Sequence, residues 1–242
     1  TPLMRLAAWQ VDLAGTVARV AGAGAGRGRA IAWALADCGA AVAAADLNIE
    51  RADATYQRIQ ARGGTAIALH ADISNRFQVA NMIEQTRDAY GRLHLLVNAV
   101  CIGRAQPLLQ VDEWDWRRQL EVNLGGAFFC LQLAARVLAD EGGGAIIHVL
   151  PAEALATLPT GIGAVAGAAG VIGMTRQAAR ELAEHNIRVN AIAAGGNDDA
   201  VANLALFLAS GAAGSISGQV LYSDGAEEKR RGEAATRLIE LR

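Results

Sequence analysis

The chain has 242 residues, with 22 Lys+Arg against 24 Asp+Glu, 52% hydrophobic and 19% charged, which is enough apolar material for one large buried core. A formal net charge of −2, aromatics at 5% and arginines scattered along the chain exclude the basic, stacking surface of a nucleic-acid binder. Of the 22 basic residues, 21 are arginine and one is lysine, Lys229, in the run Glu227-Glu228-Lys229-Arg230-Arg231; chemistry that needs an amine inside the fold would have to recruit that terminal run.

In chain order, seven apolar runs read as buried strands: 17–20, 41–45, 65–69, 95–97, 145–149, 188–192 and 219–222. Helix-length segments near 28–38, 49–61, 76–91, 111–139, 160–185 and 198–210 lie between them. This alternation predicts an α/β architecture, a single Rossmann-like doubly wound domain with a seven-stranded parallel sheet covered on both faces. No linker breaks it, so residues 1–226 are read as one domain and 227–242 as a polar C-terminal tail.

The first strand-to-helix turn is the most informative segment. It runs Val20-Ala21-Gly22-Ala23-Gly24-Ala25-Gly26-Arg27-Gly28. Glycines there permit positive φ and close approach of backbone to a pyrophosphate, which the helix N-terminus then attracts. Asp46, 18 residues after Gly28, falls at the end of the second strand, where a carboxylate can accept ribose hydroxyls.

Cys38, Cys101 and Cys130 are widely spaced in apolar surroundings and read as buried free thiols of a reducing compartment. The segment from Ala154 to Thr175 carries no charge over 22 residues, but it is rich in alanine and glycine, contains Pro159 and runs on into a polar helix, so membrane insertion is not expected. No basic stretch followed by an apolar core opens the chain, and the cytoplasm is the expected location. The histidines lack ligand spacing, so no metal site is expected.

With these motifs in order, the chain resembles the short-chain dehydrogenase/reductase family over nearly its whole length. Gly22-x-x-x-Gly26-x-Gly28 matches the family's glycine loop, Asp46 its NAD-preferring acidic position, Ala71-Asp72-Ile73 its adenine-contacting segment, and Val97-Asn98 the start of its Asn-Asn-Ala-Gly strand end. Asn123, in Val122-Asn123-Leu124-Gly125, matches the asparagine that supports the proton relay, and the runs 187–192, 207–210 and 218–225 match the closing strands. The resemblance implies a cofactor set of Gly22, Gly26, Gly28, Asp46, Asp72 and Asn98.

It also implies a catalytic Ser, Tyr and Lys: Tyr as acid or base, Lys lowering its pKa, Ser polarising the carbonyl. In the family's register these positions hold Pro151, Ala164 and Ala168, with Asn123 as the remnant. The chain has no serine between Ser74 and Ser210 and no tyrosine besides Tyr56, Tyr90 and Tyr222, so no shift of register restores the set. Ala99-Val100-Cys101 replaces Asn-Ala-Gly, Ala194 replaces a proline, and Gly196-Asn197-Asp198-Asp199 leads straight into a helix where the family inserts a substrate lid. Arg19, in a central strand, and Arg27, beneath the cofactor position, raise the expectation that an arginine fills part of the vacated site, against the alternative of solvent or a nearby carboxylate.

These features predict a non-catalytic subunit that stabilises or regulates an active homologue in a hetero-oligomer, of the kind found in heteromeric hydroxyacyl-CoA dehydrogenases. The contact would run through helices 111–139 and 160–183, the latter dense in small residues, and through the C-terminal strand. No tightly bound cofactor is expected, with NAD weak at most; nucleic acid and membrane are not expected partners. Two alternatives stand beside it: a module that senses NAD(H) through the surviving adenosine contacts, and an enzyme using His148, Asn123 or Asp198.

Overall fold

Short runs of alanine and β-branched residues, too apolar to face water on either side, give a seven-stranded sheet in the computed structural model, which describes residues 11–103, 105–152 and 161–223. The strands are β1 (Val17–Ala21), β2 (Ala41–Asp46), β3 (Ala66–His70), β4 (Leu95–Asn98), β5 (Gly144–Pro151), β6 (Ile187–Ala194) and β7 (Val220–Ser223). They lie in the order β3-β2-β1-β4-β5-β6-β7, and every pair is parallel. The order reverses between β1 and β4, where open parallel sheets place their ligand crevice. The helices are α1 (Gly26–Asp37), α2 (Ile49–Ala61), α3 (Arg76–Tyr90), α4 (Glu113–Leu120), α5 (Ala127–Asp140), α6 (Ile162–Glu181) and α7 (Asp198–Ala209). Lys229 and the expected tail lie outside the described residues.

Side chains alternate across the sheet and build two cores. Ala18, Val20, Val97 and Ile147 pack with Ile31, Leu35, Ile59 and Val201 from α1, α2 and α7. Ala21, Leu96 and Ile146 pack on the other face with Met82, Leu131 and Leu138 from α3 and α5. Four helices start where an Asn or Asp side chain accepts a first-turn N–H: Asn48, Asn75, Asp112 and Asn197. α1 and α6 start at Ala25 and Gly161 without such a cap.

The long 111–139 segment is a rod from Glu113 to Asp140, in which α4 passes into α5 through a π-helical turn, Glu121–Gly126. Asn123 sits in that turn. Its Oδ1 accepts the Ile102 N–H at 2.8 Å and its Nδ2 donates to the Ile102 carbonyl at 2.7 Å, tying the rod to the chain leaving β4. Among the described residues this rod is the helix long and apolar enough to cross a membrane, and half of its apolar window is buried in the domain; part of the uncharged 154–175 segment lies outside the described residues.

Three of the glycines of α6 pack against the chain's own rod. A Cβ built on Gly163 would stand 2.9 Å from Gln119 Cβ, one on Gly167 2.8 Å from Asn123 Cβ, and one on Gly170 2.6 Å from Leu124 Cδ1. These glycines therefore let α6 lie against the rod of its own chain and are not free for a partner. Gly173 has nothing within 4 Å. Gly167→Ala is accordingly expected to lower the thermal midpoint by several degrees, and Gly173→Ala to raise it, since an open helical Gly costs roughly 1 kcal/mol against Ala; melting curves of the two variants check the contrast.

Two of the buried polar side chains among the described residues, Arg19 and His148, are titratable. Arg19 is fully buried, and its Nη2 donates to Met82 Sδ. Nε and Nη1 have no hydrogen-bond partner. Burial lowers its pKa to about 10, opposed by neighbouring Cys130. The expected carboxylate partner is absent among the described residues, and Arg19 faces the α3–α5 layer, away from the crevice. His148, on β5, is likewise fully buried, with neither ring nitrogen hydrogen-bonded. Burial lowers its pKa to about 4. Because this lies below the unfolded value of about 6.5, the unfolded chain holds the extra proton in between. Stability is therefore fully present above pH ~6.5 and falls as pH drops toward 4, by about 2 kcal/mol from this group at pH ~5. Denaturant titrations at several pH values should show that slope, and His148→Leu should remove it.

Candidate functional site

The crevice is built on the turn after β1. Gly22 has φ +80, and the N–H groups of Gly22 and Ala23 donate to the Ala45 carbonyl at 2.8 and 3.0 Å, which bends the chain back over the end of β2. Gly28 is required by contact: a Cβ there would lie 2.1 Å from the Gly22 carbonyl oxygen. A Cβ on Gly24 would lie 2.7 Å from Asp46 Oδ2. Asp46 is held at the rim by two backbone bonds, Oδ2 accepting from Gly24 N–H and Oδ1 from Asn48 N–H, each at 2.9 Å. The turn thus delivers the uncapped N-terminus of α1 beside a fixed carboxylate, an arrangement suited to a phosphate flanked by a diol.

Across the crevice, Asp72 Oδ1 accepts from the Ser74 N–H at 2.9 Å and hydroxyl at 2.7 Å, and Oδ2 from Arg118 Nη2 at 3.2 Å. Arg118, from α4, also donates to Ser74 Oγ and to Glu121. Partial burial raises the Asp72 pKa, but the bonds from Ser74 and Arg118 outweigh it and hold the carboxyl below its usual range. Asn98 is buried at the end of β4, its Oδ1 accepting from the Val100 N–H at a long 3.4 Å.

Two cavities open here. The first, about 320 Å³, is lined by Gly22, Asp46, Arg51, Asp72 and Arg118 among others. The second, about 360 Å³, is lined by Arg27, Gly28, Val149, Pro151 and Ala164. Ala25, Ala99 and Cys101 border both. Cys101 is exposed and Cys38 is partly so, so of the three expected buried thiols only Cys130 is fully buried. Arg27, not Arg19, is the arginine that lines the second cavity.

The sequence-derived set thus divides. Gly22, Asp46 and Asp72 share the first cavity, and Gly28, Pro151 and Ala164 the second. Gly26, Asn98, Asn123 and Ala168 line neither. Ala168 is buried in a small apolar cluster with Ala127, Leu150, Val171 and Ala191. Arg51 and Arg118 were not foreseen; each belongs to a helix face whose direction no local pattern reveals. His148, Asn123 and Asp198 are not gathered: the first is sealed in the core, the second is engaged with Ile102, and the third starts α7 at an outer groove. Among the described residues no three metal-ligating side chains cluster. β6 joins α7 through residues 195–197 alone, three residues where a lid would need many more.

A parallel sheet with a glycine-rich first turn and a crevice at the β1/β4 switch defines a dinucleotide-fold protein. Residues 16–204 match the short chain dehydrogenase family model, and the chain belongs to that family. It is 34% identical over 236 residues to the BbsD subunit of (2S)-[(R)-hydroxy(phenyl)methyl]succinyl-CoA dehydrogenase from Thauera aromatica, covering 85% of this chain and 94% of that one. It is 31% identical over 240 residues to the 3-oxoacyl-acyl-carrier-protein reductase FabG of Thermotoga maritima, covering 88% and 98%. Among solved structures, a hydroxysteroid dehydrogenase of Escherichia coli superposes with TM-score 0.83 at 32% identity, over 88% of this chain and 97% of that one.

The Arg118–Asp72 contact yields a direct test. In Arg118→Ala the Asp72 carboxyl should titrate at a higher pH than in the parent, measured by carboxyl-carbon NMR, because the hydrogen bond and the positive charge that Arg118 supplies are both removed.

Proposed function

We propose that this chain is a non-catalytic member of the short-chain dehydrogenase family that assembles with an active, NAD-dependent homologue and stabilises or regulates it in a hetero-oligomer. The observation that carries the reading is the composition of the second cavity. Where the family places its hydroxyl and its tyrosine, the walls are Pro151 and Ala164, and where it places its lysine, Ala168 is buried among aliphatic side chains. Alanine and proline side chains neither transfer a proton nor polarise a carbonyl, so hydride transfer in such an assembly belongs to the partner.

The partner would be met on the outward faces of α5 and α6 and along β7. A groove between the two helices is lined by Phe128, Gln132, Arg136, Glu181, Leu182 and His185, and β7 is a sheet edge. That BbsD is named as a subunit of a hydroxyacyl-CoA dehydrogenase favours a hydroxyacyl-CoA thioester as the substrate of the assembly. NAD(H) sensing remains a second reading because the first cavity keeps Asp46 and Asp72; use of His148 as a base loses support because it is sealed off.

Expression of the chain alone and together with the product of the neighbouring gene is the test. A stable, stoichiometric complex is expected, with hydride transfer present in the pair and absent from this chain. Homogeneous dimers of this chain alone that turn over a hydroxyacyl-CoA would overturn the reading.

A further inference from the structure

NAD is the cofactor the family implies, and its two halves fare differently against these cavities. The first offers Asp46, with both carboxylate oxygens pinned by backbone N–H groups and lone pairs remaining for a ribose diol. It also offers Asp72 Oδ2 and the Arg118 guanidinium side by side, 3.2 Å apart on the same wall. An acceptor beside a donor is the complement of adenine's edge, where an amino group adjoins a ring nitrogen. The uncapped start of α1, whose N-cap residue Ala25 lines the same cavity, is the place for a diphosphate.

Among the described residues the second cavity offers no such complement. Nicotinamide and its ribose carry hydroxyl, amide and ring groups, yet apart from Arg27 the described side chains that line it come from Ala, Val, Pro and Cys. Ala168 does not reach it, the Asn98 amide is turned to the backbone of Val100, and Cys101 stands on the border between the cavities. A ribosyl-nicotinamide placed there would exchange water for side chains that return few of its hydrogen bonds, so it adds little to binding.

We infer that the chain is a receptor for adenosine nucleotides through the first cavity alone, binding ADP or ADP-ribose as strongly as the full dinucleotide. This rests on reading the first cavity as the family's adenosine half. It is independent of the partner proposed above, since co-expression tests one and nucleotide titration of the isolated full chain tests the other.

The experiment is calorimetric titration with ADP, ADP-ribose, NAD and nicotinamide mononucleotide. Dissociation constants for the first three should agree within about threefold, and the mononucleotide should not bind at about 1 mM. Arg118→Gln and Asp46→Ala should weaken ADP and NAD by the same factor, about tenfold, with melting curves confirming that each variant is folded. If Asp46→Ala does not fold because Gly24 N–H loses its acceptor, Arg118→Gln, partly exposed, carries the test. NAD binding about tenfold tighter than ADP, a variant that weakens one and not the other, or no binding of ADP would each overturn the inference.

Discussion

Much of the architecture depends on how closely α6 can approach the rod formed by α4 and α5. With Gly163, Gly167 and Gly170 facing Gln119, Asn123 and Leu124 at distances where a methyl group would collide, the two helices are locked at backbone contact. That lock fixes the azimuth of α6 and so the direction of positions 164 and 168, one set on the second cavity and the other in an apolar cluster. It also places the π-helical turn so that Asn123 can bridge to Ile102. The retained asparagine therefore has a structural explanation that needs no proton relay.

The same logic explains the crevice. The Gly22–Gly28 approach and the Asp46 clamp on Gly24 are steric and electrostatic requirements of the turn itself. They hold whatever reaction the crevice serves. Further along the crevice the described lining turns small and apolar, with Val149, Pro151 and Ala164 on the wall of the second cavity. A fold can keep its shape with such a lining because alanine fits a helix and a core equally well.

The strands and most helix ends were legible to within about two residues, because each buried strand is an unbroken apolar run and each helix has its own periodicity and, in four cases, an Asn or Asp at its start; the exception is α6, expected to reach 185, which ends at Glu181 before a separate 3-10 turn. The glycine turn and Asp46 were legible because spacing alone determines them. Other features depend on tertiary direction and left no local trace. Arg19 shares a strand with core residues, and only the strand's alternation decides that it faces Met82 and not the crevice. The glycines of α6 read equally well as an interface to a partner or to the chain's own rod, and the neighbour that decides between them is some 44 residues away in sequence. Arg118 is unremarkable as sequence and becomes significant through Asp72, 46 residues earlier.

The three-residue passage from β6 to α7 has a kinetic consequence. A lidded crevice captures its occupant, and release then waits for a segment to move. So short a connection carries no such gate at this edge, and a ligand that leaves past it does so at a rate set by diffusion and by the contacts it breaks.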